Sequence, residues 1–440
     1  MEHVAALVAK YFPASTAELH LGGLPVSALA EKYGTPLFVY DAGVADQKWA
    51  MLRGAFPPAF SICYSVKANP HRAFLEHFLV KGCGLEVASA GEFHQALAAG
   101  CEPAKILFAG PGKTEAELHL VLGQGIGEIH AESLLEIERI SAISHGLGVR
   151  APVAVRVNPS GEAQGGAMRM GGKPAPFGID EEELDRVLDR VLFDMVIEFR
   201  GVHLFTGTQI LDHTVLLSQY RKGLEIAHRI ATRMRQPLPT VDFGGGLGIP
   251  YFSTEQELDI EALGQGLAAL LGEIQGDTLF AGTRFVVEPG RYLVGEAGIY
   301  VTRINDIKVS RGKKFLILDG GMNHHLAASG NLGQTIKRNY PLALLTKLNA
   351  AAEETVDVVG PLCTPLDVLG RAMTLSKAEV GDLVGVFQSG AYARSASPLG
   401  FLSHLTPPEV WVDAGGDRLV RRRGEYGDYL KDQFCGSTSH

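Results

Sequence analysis

The 440-residue chain lacks several features that mark particular classes of protein. Its five cysteines form no CxxC pair and no metal-ligand spacing, and such an odd, scattered set is typical of free thiols in a reducing compartment. No apolar run reaches about 18 residues, so no transmembrane helix is predicted. The first residues, MEHVAALVAKYFP, show no basic region followed by an apolar one, so no signal peptide is expected. These absences predict a cytoplasmic protein.

An excess of positive charge is also missing. The formal net charge is −9, which argues against nucleic acid or an anionic membrane as the main partner. Hydrophobic residues make up 46% of the chain and charged residues 20%, as expected for a globular protein with a large core. The length suits two ordinary domains, or one barrel with a smaller domain.

Short apolar runs alternate with helix-like stretches through the middle of the chain. Eight repeats of strand and helix over about 230 residues predict a (β/α)8 TIM-like barrel, and a doubly wound open sheet is the alternative. The strand-like runs are FSICYSV, CGLEVAS, KILFAG, GEIHAE, VAVRVNP, RGVHLFTG, TVDFGGG and RFVVEPG.

The pattern changes after Gly290, where strand-like runs follow one another with little helix between them. Such runs, for example GIYVTRINDIKV and KKFLILDGG, predict a mainly antiparallel β domain. The N-terminal segment, which ends in GTPLFVYD, is expected to add a strand to that domain. The predicted division is therefore an N-terminal segment at 1–40, the barrel at 41–294, the β domain at 295–424 and a polar tail at 425–440.

Lys67 lies at the end of the first predicted barrel strand, in YSVKANP. A lysine in an apolar strand is costly unless it is paired or used covalently. Desolvation lowers the pKa of a lysine, and the neutral amine condenses with aldehydes such as pyridoxal phosphate. The alternative is that Lys67 pairs with a carboxylate at the barrel rim.

Two glycine-containing segments, FGGGLG (243–248) and EPGR (288–291), follow the last two predicted strands. In (β/α)8 barrels these loops bind phosphate through backbone N–H groups. The first segment is not a Walker loop, because no Lys-Ser/Thr follows it. Ordinary turns also contain such glycines, but the placement of both segments favours a phosphate ligand.

Six motifs, in order along the chain, resemble those of the fold-type III pyridoxal-phosphate decarboxylases. This family includes the diaminopimelate, ornithine and arginine decarboxylases, and the resemblance extends from residue 34 to about residue 402. It implies an alanine racemase-like fold, pyridoxal 5'-phosphate as cofactor and amino-acid decarboxylation as the reaction. The motifs are YSVKANP, HLFTGTQ, DFGGGLG, EPGRYLV, GPLCTPLD and SGAY.

The resemblance also implies roles for individual residues. Lys67 would form the imine with the cofactor, Glu288 would keep the ring nitrogen protonated, and Cys363 would protonate the substrate carbon after carbon dioxide leaves. In this family that cysteine comes from the partner subunit, so a homodimer with shared active sites is expected. No metal is expected. The implied cofactor contacts are Lys67, Glu86, Arg156, Phe205, Thr208, Gly244, Gly245, Gly246, Glu288, Gly290, Arg291 and Tyr392.

Two single positions depart from the family pattern. Phe205 replaces a histidine that stacks on the cofactor ring; phenylalanine stacks but cannot hydrogen-bond or change charge. His203, on the same strand face, either compensates or is structural. Thr364 stands where relatives have a carboxylate that pairs with the distal amine of the substrate, and Asp367 is the alternative counter-charge.

The segment after the DGG motif is the third departure. It reads MNHHLAASGNLGQTIKRNYPL and lacks the Arg-Pro of diaminopimelate decarboxylases. His324, His325, Lys337 and Arg338 are candidates for contact with the substrate. The paired histidines also suit a metal, but no third ligand is evident.

The departures predict a decarboxylase for an amino acid or conjugate other than free diaminopimelate. They resemble a sub-branch with a member that acts on a glutamyl group tethered to a carrier protein in aminoglycoside (butirosin) assembly, and with exosortase-associated members. The basic run RLVRRRG (418–424) would then either meet an acidic carrier or be a solvated strand end. Diaminopimelate decarboxylase, a racemase and a non-catalytic homologue are the alternative functions.

Overall fold

The computed structural model describes residues 2–160, 174–332, 334 and 336–434, and the backbone of 168–169. The chain divides into two compact units. The barrel unit comprises Trp49–Pro250 and Gln256–Tyr292, and the β unit comprises Met1–Lys48, Tyr251–Glu255 and Leu293–His440. Part of the predicted tail, residues 435–440, lies outside the described residues, as do positions 333 and 335 of the predicted substrate segment.

The strands are β1 (His20–Leu21), β2 (Leu24–Pro25), β3 (Leu37–Asp41), β4 (Phe60–Ser65), β5 (Gly84–Val87), β6 (Ile106–Phe108), β7 (Glu128–Ala131), β8 (Ala151–Asn158), β9 (Met168–Arg169), β10 (Ile179–Asp180), β11 (Ile197–Leu204), β12 (Gly207–Thr208), β13 (Thr240–Asp242), β14 (Arg284–Val287), β15 (Gly298–Ser310), β16 (Lys313–Leu318), β17 (Leu342–Leu344), β18 (Glu354–Val359), β19 (Val368–Leu375), β20 (Leu383–Val386), β21 (Glu409–Asp413) and β22 (Gly416–Arg421). The helices are α1 (Glu2–Tyr11), α2 (Val26–Tyr33), α3 (Ala42–Ala55), α4 (Arg72–Leu79), α5 (Ala90–Ala98), α6 (Glu115–Gly123), α7 (Leu134–Leu147), α8 (Leu184–Leu192), α9 (His213–Met234), α10 (Ile260–Glu273) and α11 (Arg291–Val294).

The barrel unit is a closed parallel sheet. Within the described residues, eight strands pair in the order β4, β5, β6, β7, β8, β11, β13 and β14. The last strand then pairs with the first, with Phe285 opposite Phe60 and Val287 opposite Ile62. This closure confirms the predicted (β/α)8 barrel and excludes the open sheet.

Buried apolar side chains and capped helices explain why these segments fold as they do. Strands of a parallel barrel are covered on both faces, so they read as continuous apolar runs rather than alternating ones. Cys63, Leu107 and Val286, from three strands, pack together in the core. Ser89 and Thr114 cap α5 and α6, and each accepts a hydrogen bond from a backbone N–H group of its helix. Helix starts are thereby fixed just beyond the strand ends.

The β unit is a mainly antiparallel sheet with two parallel pairings. Its strands follow the path β19, β18, β16, β15, β3, β21 and β22, while β20 joins β15 to β17. The N-terminal strand β3 lies between β15 and β21, so residues from both ends of the chain share one sheet. Among the helices of the described residues, none is both long and apolar enough to cross a membrane.

Candidate active site

Lys67 lies at the rim of the barrel, in a short 3-10 turn at Val66–Ala68 directly after β4. Its Nζ atom lies 2.9 and 2.8 Å from the two carboxylate oxygens of Glu86, a buried residue of β5. Ser65 donates a further hydrogen bond of 2.5 Å to Glu86. The expectation of a buried lysine is wrong: because the chain has left the strand, the side chain is 39% exposed.

The pairing with Glu86 is the alternative that the sequence left open for Lys67. It does not exclude a covalent role, because a lysine side chain that is 39% exposed remains accessible to an aldehyde. Glu92, at the start of α5, is a further carboxylate of this rim. Burial, together with the charge of Glu86, raises the pKa of Glu92 to about 7, and Lys67 offsets part of that shift. The rim therefore holds a carboxylate that titrates near neutral pH.

The glycine loop after β13 lies against the ends of two neighbouring strands. Gly244 has a φ of +65°, and a Cβ atom there would lie 2.8 Å from the carbonyl oxygen of Leu204. At Gly245 a Cβ atom would lie only 2.5 Å from the carbonyl oxygen of Glu288. Glu288 N–H in turn donates to the Gly244 carbonyl at 2.8 Å. Only glycine fits so close a backbone approach.

The other predicted phosphate-binding residues also lie just after the carboxyl ends of barrel strands. A Cβ atom at Gly246 would lie 3.0 Å from the Gly207 carbonyl oxygen, next to Thr208. One at Gly290 would lie 2.8 Å from the Cβ atom of Ala68. Arg291 then begins α11. The structure thus gathers the barrel's predicted phosphate residues at the carboxyl ends of β11, β13 and β14, beside the turn that holds Lys67.

Arg156 is fixed by one carboxylate and two aromatic rings. Its Nη1 atom lies 2.8 Å from Glu132, and its guanidinium carbon lies 5.2 Å from the ring of Phe177 and 5.8 Å from that of Phe205. Burial would raise the pKa of Glu132, but the charge of Arg156 outweighs it and the pKa is lowered. Phe205 therefore contacts the cation of Arg156 as well as the glycine loop. A charged histidine in its place would repel Arg156.

His203 lies beneath this rim, stacked on a second histidine. The ring centroids of His203 and His130 are 4.3 Å apart at 24°. The Nε2 atom of His203 lies 3.4 Å from Glu288. Burial, then the charges of His130 and Arg156, lower the pKa of His203 well below its usual value, so the ring is neutral.

The sequence analysis missed His130 and its neighbours Glu128 and Asp242. All three are fully buried in β7 and β13. A signal was present, because GEIHAE places two polar residues at alternate positions of a buried strand, where burial without a partner is costly.

The barrel residues match a known protein family. Residues 44–295 match the family described as pyridoxal-dependent decarboxylase, pyridoxal binding domain. The chain belongs to this family.

Two curated decarboxylases resemble this decarboxylase over nearly all of its length. "L-glutamyl-[BtrI acyl-carrier protein] decarboxylase" of Niallia circulans is 37% identical over 94% of this chain and 97% of its own. Diaminopimelate decarboxylase of Aquifex aeolicus is 32% identical over 94% of each chain. Among solved structures, diaminopimelate decarboxylase from M. jannaschii in co-complex with L-lysine has a TM-score of 0.89 at 27% identity, over 96% of this chain and 97% of that one. The barrel with its β domain is therefore the fold of this family.

The barrel of this decarboxylase fits the family cofactor in two respects. The Oε1 atom of Glu288 is buried and receives no hydrogen bond from an N–H or alcohol donor among the described residues; the one carboxyl group hydrogen-bonded to Glu288 is that of Asp242, so the carboxylate can still accept a ligand donor. The glycine loop also carries no side chains of its own at Gly244, Gly245 and Gly246, and such backbone suits a phosphate. Both features lie at the carboxyl end of the barrel.

In the β unit of this decarboxylase, the GPLCTPLD turn presents Cys363 at the surface. Asp367 organises the turn: it is buried and accepts hydrogen bonds from the N–H groups of Met322 and Leu362 at 2.7 and 2.9 Å. Burial raises the pKa of Asp367. Its carboxylate is thus committed inside the β unit, and Thr364, partly exposed, offers no charge in its place. Tyr392 is also partly exposed and has a φ of +52°.

His324 and His325 are buried within the β unit, and their ring nitrogens have partners there. His324 contacts Tyr300 Oη at 3.0 Å and Asn323 at 3.1 Å, and His325 contacts Ser389 Oγ at 3.0 Å. Burial lowers the pKa of each to about 3. These contacts give both rings a structural role, and the prediction that they contact the substrate stays a prediction.

The basic residues of the β unit are engaged by neighbours. Arg338 lies 3.0 Å from Glu255, with its guanidinium carbon 3.5 Å from the Phe252 ring centroid. In the run at 418–424, Arg421 pairs with Glu409, and Arg422 with Glu425 and Asp428. Arg423 donates to two backbone carbonyl groups. These contacts favour the strand-end interpretation of this run over a docking surface.

Proposed function

We propose that this protein binds pyridoxal 5'-phosphate and decarboxylates an amino acid carried as a conjugate without a distal ammonium group, such as a glutamyl group on a carrier protein. The proposal is carried by the region beside Cys363: Thr364 is uncharged, and the Asp367 carboxylate accepts hydrogen bonds from the backbone N–H groups of Met322 and Leu362. A substrate ammonium placed against this segment would lack a counter-charge, at a cost of several kcal/mol if buried.

The family relation supports the roles of the barrel residues. The cofactor, when bound, supplies an electron sink for the electrons that carbon dioxide leaves behind. Lys67 would hold it covalently, Glu288 would accept a hydrogen bond from its ring nitrogen, and the glycine loop would bind its phosphate. Cys363 would return a proton to the substrate carbon, from the partner subunit of a homodimer.

The chemistry of the reaction restricts the form of the conjugate. The amine must be free to displace Lys67, and the neighbouring carboxylate must be free to leave. A tethered glutamyl group would therefore be linked through its side-chain carboxyl. One proton replaces the carboxylate that leaves as carbon dioxide, so the product is a tethered amine and no redox partner is needed.

The test is carbon dioxide release from purified, cofactor-loaded protein. The panel is a glutamyl thioester of a carrier protein, free glutamate, meso-diaminopimelate and ornithine. We expect turnover of the tethered substrate and little of the free amino acids. Rapid turnover of meso-diaminopimelate would instead support the second candidate, a diaminopimelate decarboxylase, which the 32% identity to the Aquifex aeolicus enzyme favours.

A further inference from the structure

Five ionisable side chains form a buried cluster inside the barrel, below the rim that holds Lys67. Each is at most 4% exposed. The Nε2 atom of His130 lies 3.1 Å from Glu128 and 3.9 Å from Asp242, and its Nδ1 atom lies 3.9 Å from Glu288. His203 completes the cluster through its stacking on His130 and its 3.4 Å approach to Glu288.

The charges of this cluster are distributed unevenly. Arg200 and Arg284 lie 4.0 and 3.8 Å from Glu128, at the edge remote from Glu288. Burial would raise the pKa of Glu128, but its interactions with His130 and the charge of Arg284 outweigh that effect, so the pKa is lowered. Burial and the charge of Glu288 raise the pKa of Asp242 well above its usual value, so Asp242 holds a proton. The side chains of Asp242 and Glu288 are also joined by a hydrogen bond.

The same geometry argues against a metal at His130, His203 and Glu288, although their ligand atoms lie within 4.8 Å of one another. A histidine binds a metal in the plane of its ring. Two rings stacked at 24° direct their nitrogen lone pairs along nearly parallel planes, so both cannot point at one ion. The stacked pair instead presents flat ring surfaces and ring nitrogens to the carboxylates around it.

We propose that His130 and His203 are positioning residues for Glu288. Their stacked rings hold the Glu288 carboxylate in the orientation that meets a pyridine nitrogen, and His130 connects that carboxylate to Glu128 and Asp242. This inference rests on the proposed function, because it assumes that the ligand of Glu288 is the cofactor ring.

The experiment compares two ligands on the apoprotein: pyridoxal phosphate and its analogue with carbon in place of the ring nitrogen. Dissociation constants are measured by spectroscopic titration for wild type, His130→Phe, His203→Phe and Glu288→Gln. Phenylalanine keeps the ring stack but removes the nitrogens. His228→Phe, on the exposed face of α9, is the matched control.

We expect the wild type to prefer pyridoxal phosphate and Glu288→Gln to lose that preference. Each cluster variant should reduce the preference by about fivefold or more, a typical coupling between contacting residues, through weaker binding of pyridoxal phosphate alone. In a protein that already carries Glu288→Gln, the histidine substitutions should not change the preference for pyridoxal phosphate any further. His228→Phe should change neither constant.

Equal weakening of both ligands by the cluster variants would overturn the inference, since it would show a general structural effect. An unchanged preference would overturn it as well. The two histidines are tested separately, so that a variant that fails to fold leaves the other as the test. A wild type that binds neither ligand would overturn the proposed function itself, and the two failures are thus distinguishable.

Discussion

The ammonium group of Lys48 lies 2.7 Å from the carboxylate of Glu296 in the interior of the β unit. Both side chains are less than 5% exposed, and the hydroxyl of Tyr11 donates a second bond of 2.9 Å to the same carboxylate oxygen. A charge buried this deeply depends on its partner, because neither group reaches water.

Lys48→Met therefore should leave Glu296 buried without a counter-charge, with a loss of about 3–5 kcal/mol in the free energy of unfolding. Urea denaturation followed by circular dichroism measures this loss. Lys32→Met is the matched control, since Lys32 pairs with Asp417 at the surface, and little change is expected there. Similar losses in both variants would show that burial of the Lys48–Glu296 pair does not determine its contribution to the free energy of unfolding.

Lys67→Ala should abolish covalent attachment of the cofactor. Borohydride reduction followed by mass spectrometry of peptides should find the pyridoxyl group on the peptide that contains Lys67 in wild type and on none in the variant. Lys105→Ala, at an exposed lysine, is the control and should retain the label. A labelled peptide elsewhere in Lys67→Ala would refute the assignment.

Thr364→Glu should improve the decarboxylation of meso-diaminopimelate relative to the tethered substrate. The added carboxylate restores a partner for a distal ammonium, and a charged hydrogen bond of this kind is worth about tenfold or more in kcat/KM. Thr364→Gln has nearly the same size without the charge and should show no such gain. If both variants gain alike, charge is not the basis of the selectivity.

Glu92 should make the stability of the barrel unit depend on pH. Because its pKa in the folded protein, about 7, exceeds the ordinary value of 4.5, the folded state binds this proton more tightly than the unfolded state. The stabilising contribution is complete below pH 4.5 and is lost as the pH rises through 7.

Glu92→Gln should thus raise the free energy of unfolding at pH 8 by about 1–2 kcal/mol and change it little at about pH 4. Denaturation at the two pH values measures the difference, with Glu115→Gln, at an exposed glutamate, as the control. A gain of the same size at both pH values would contradict a role for this titration.

Apolar runs predicted the barrel well, because most residues of its strands are buried, although β7, β8 and β11 carry polar residues within the run. The strand β19 was not predicted, since VLGRAMTL contains exposed polar residues and a glycine, and its pairing with β18 is irregular. The short β17 offers only three residues to any pattern. Strand prediction failed where packing from elsewhere in the chain decides the conformation.

Some features of the candidate site were predicted from the sequence and others were not. The glycine loop and Lys67 were found from motifs, whereas the exposure of Lys67 was not, because a 3-10 turn after a strand leaves no apolar pattern. The polar pair Glu128 and His130 was a signal in the sequence, but their role was hidden, because Asp242 and Glu288 approach His130 only after the barrel closes. The hydrogen bonds of Asp367 to the N–H groups of Met322 and Leu362 could not be predicted either, since backbone N–H groups have no sequence signature.

The pairing of β4 with β14, which closes the barrel, also affects how the chain folds during its synthesis. Lys67 lies beside the first barrel strand and Glu288 beside the last, and Ser65 N–H meets the Pro289 carbonyl across the seam at 3.2 Å. The first-made and last-made parts of the barrel thus meet at the rim where we propose that the cofactor binds. A growing chain cannot assemble that site until the eighth strand has emerged, so a ligand that binds there stabilises the completed barrel and not its partial forms.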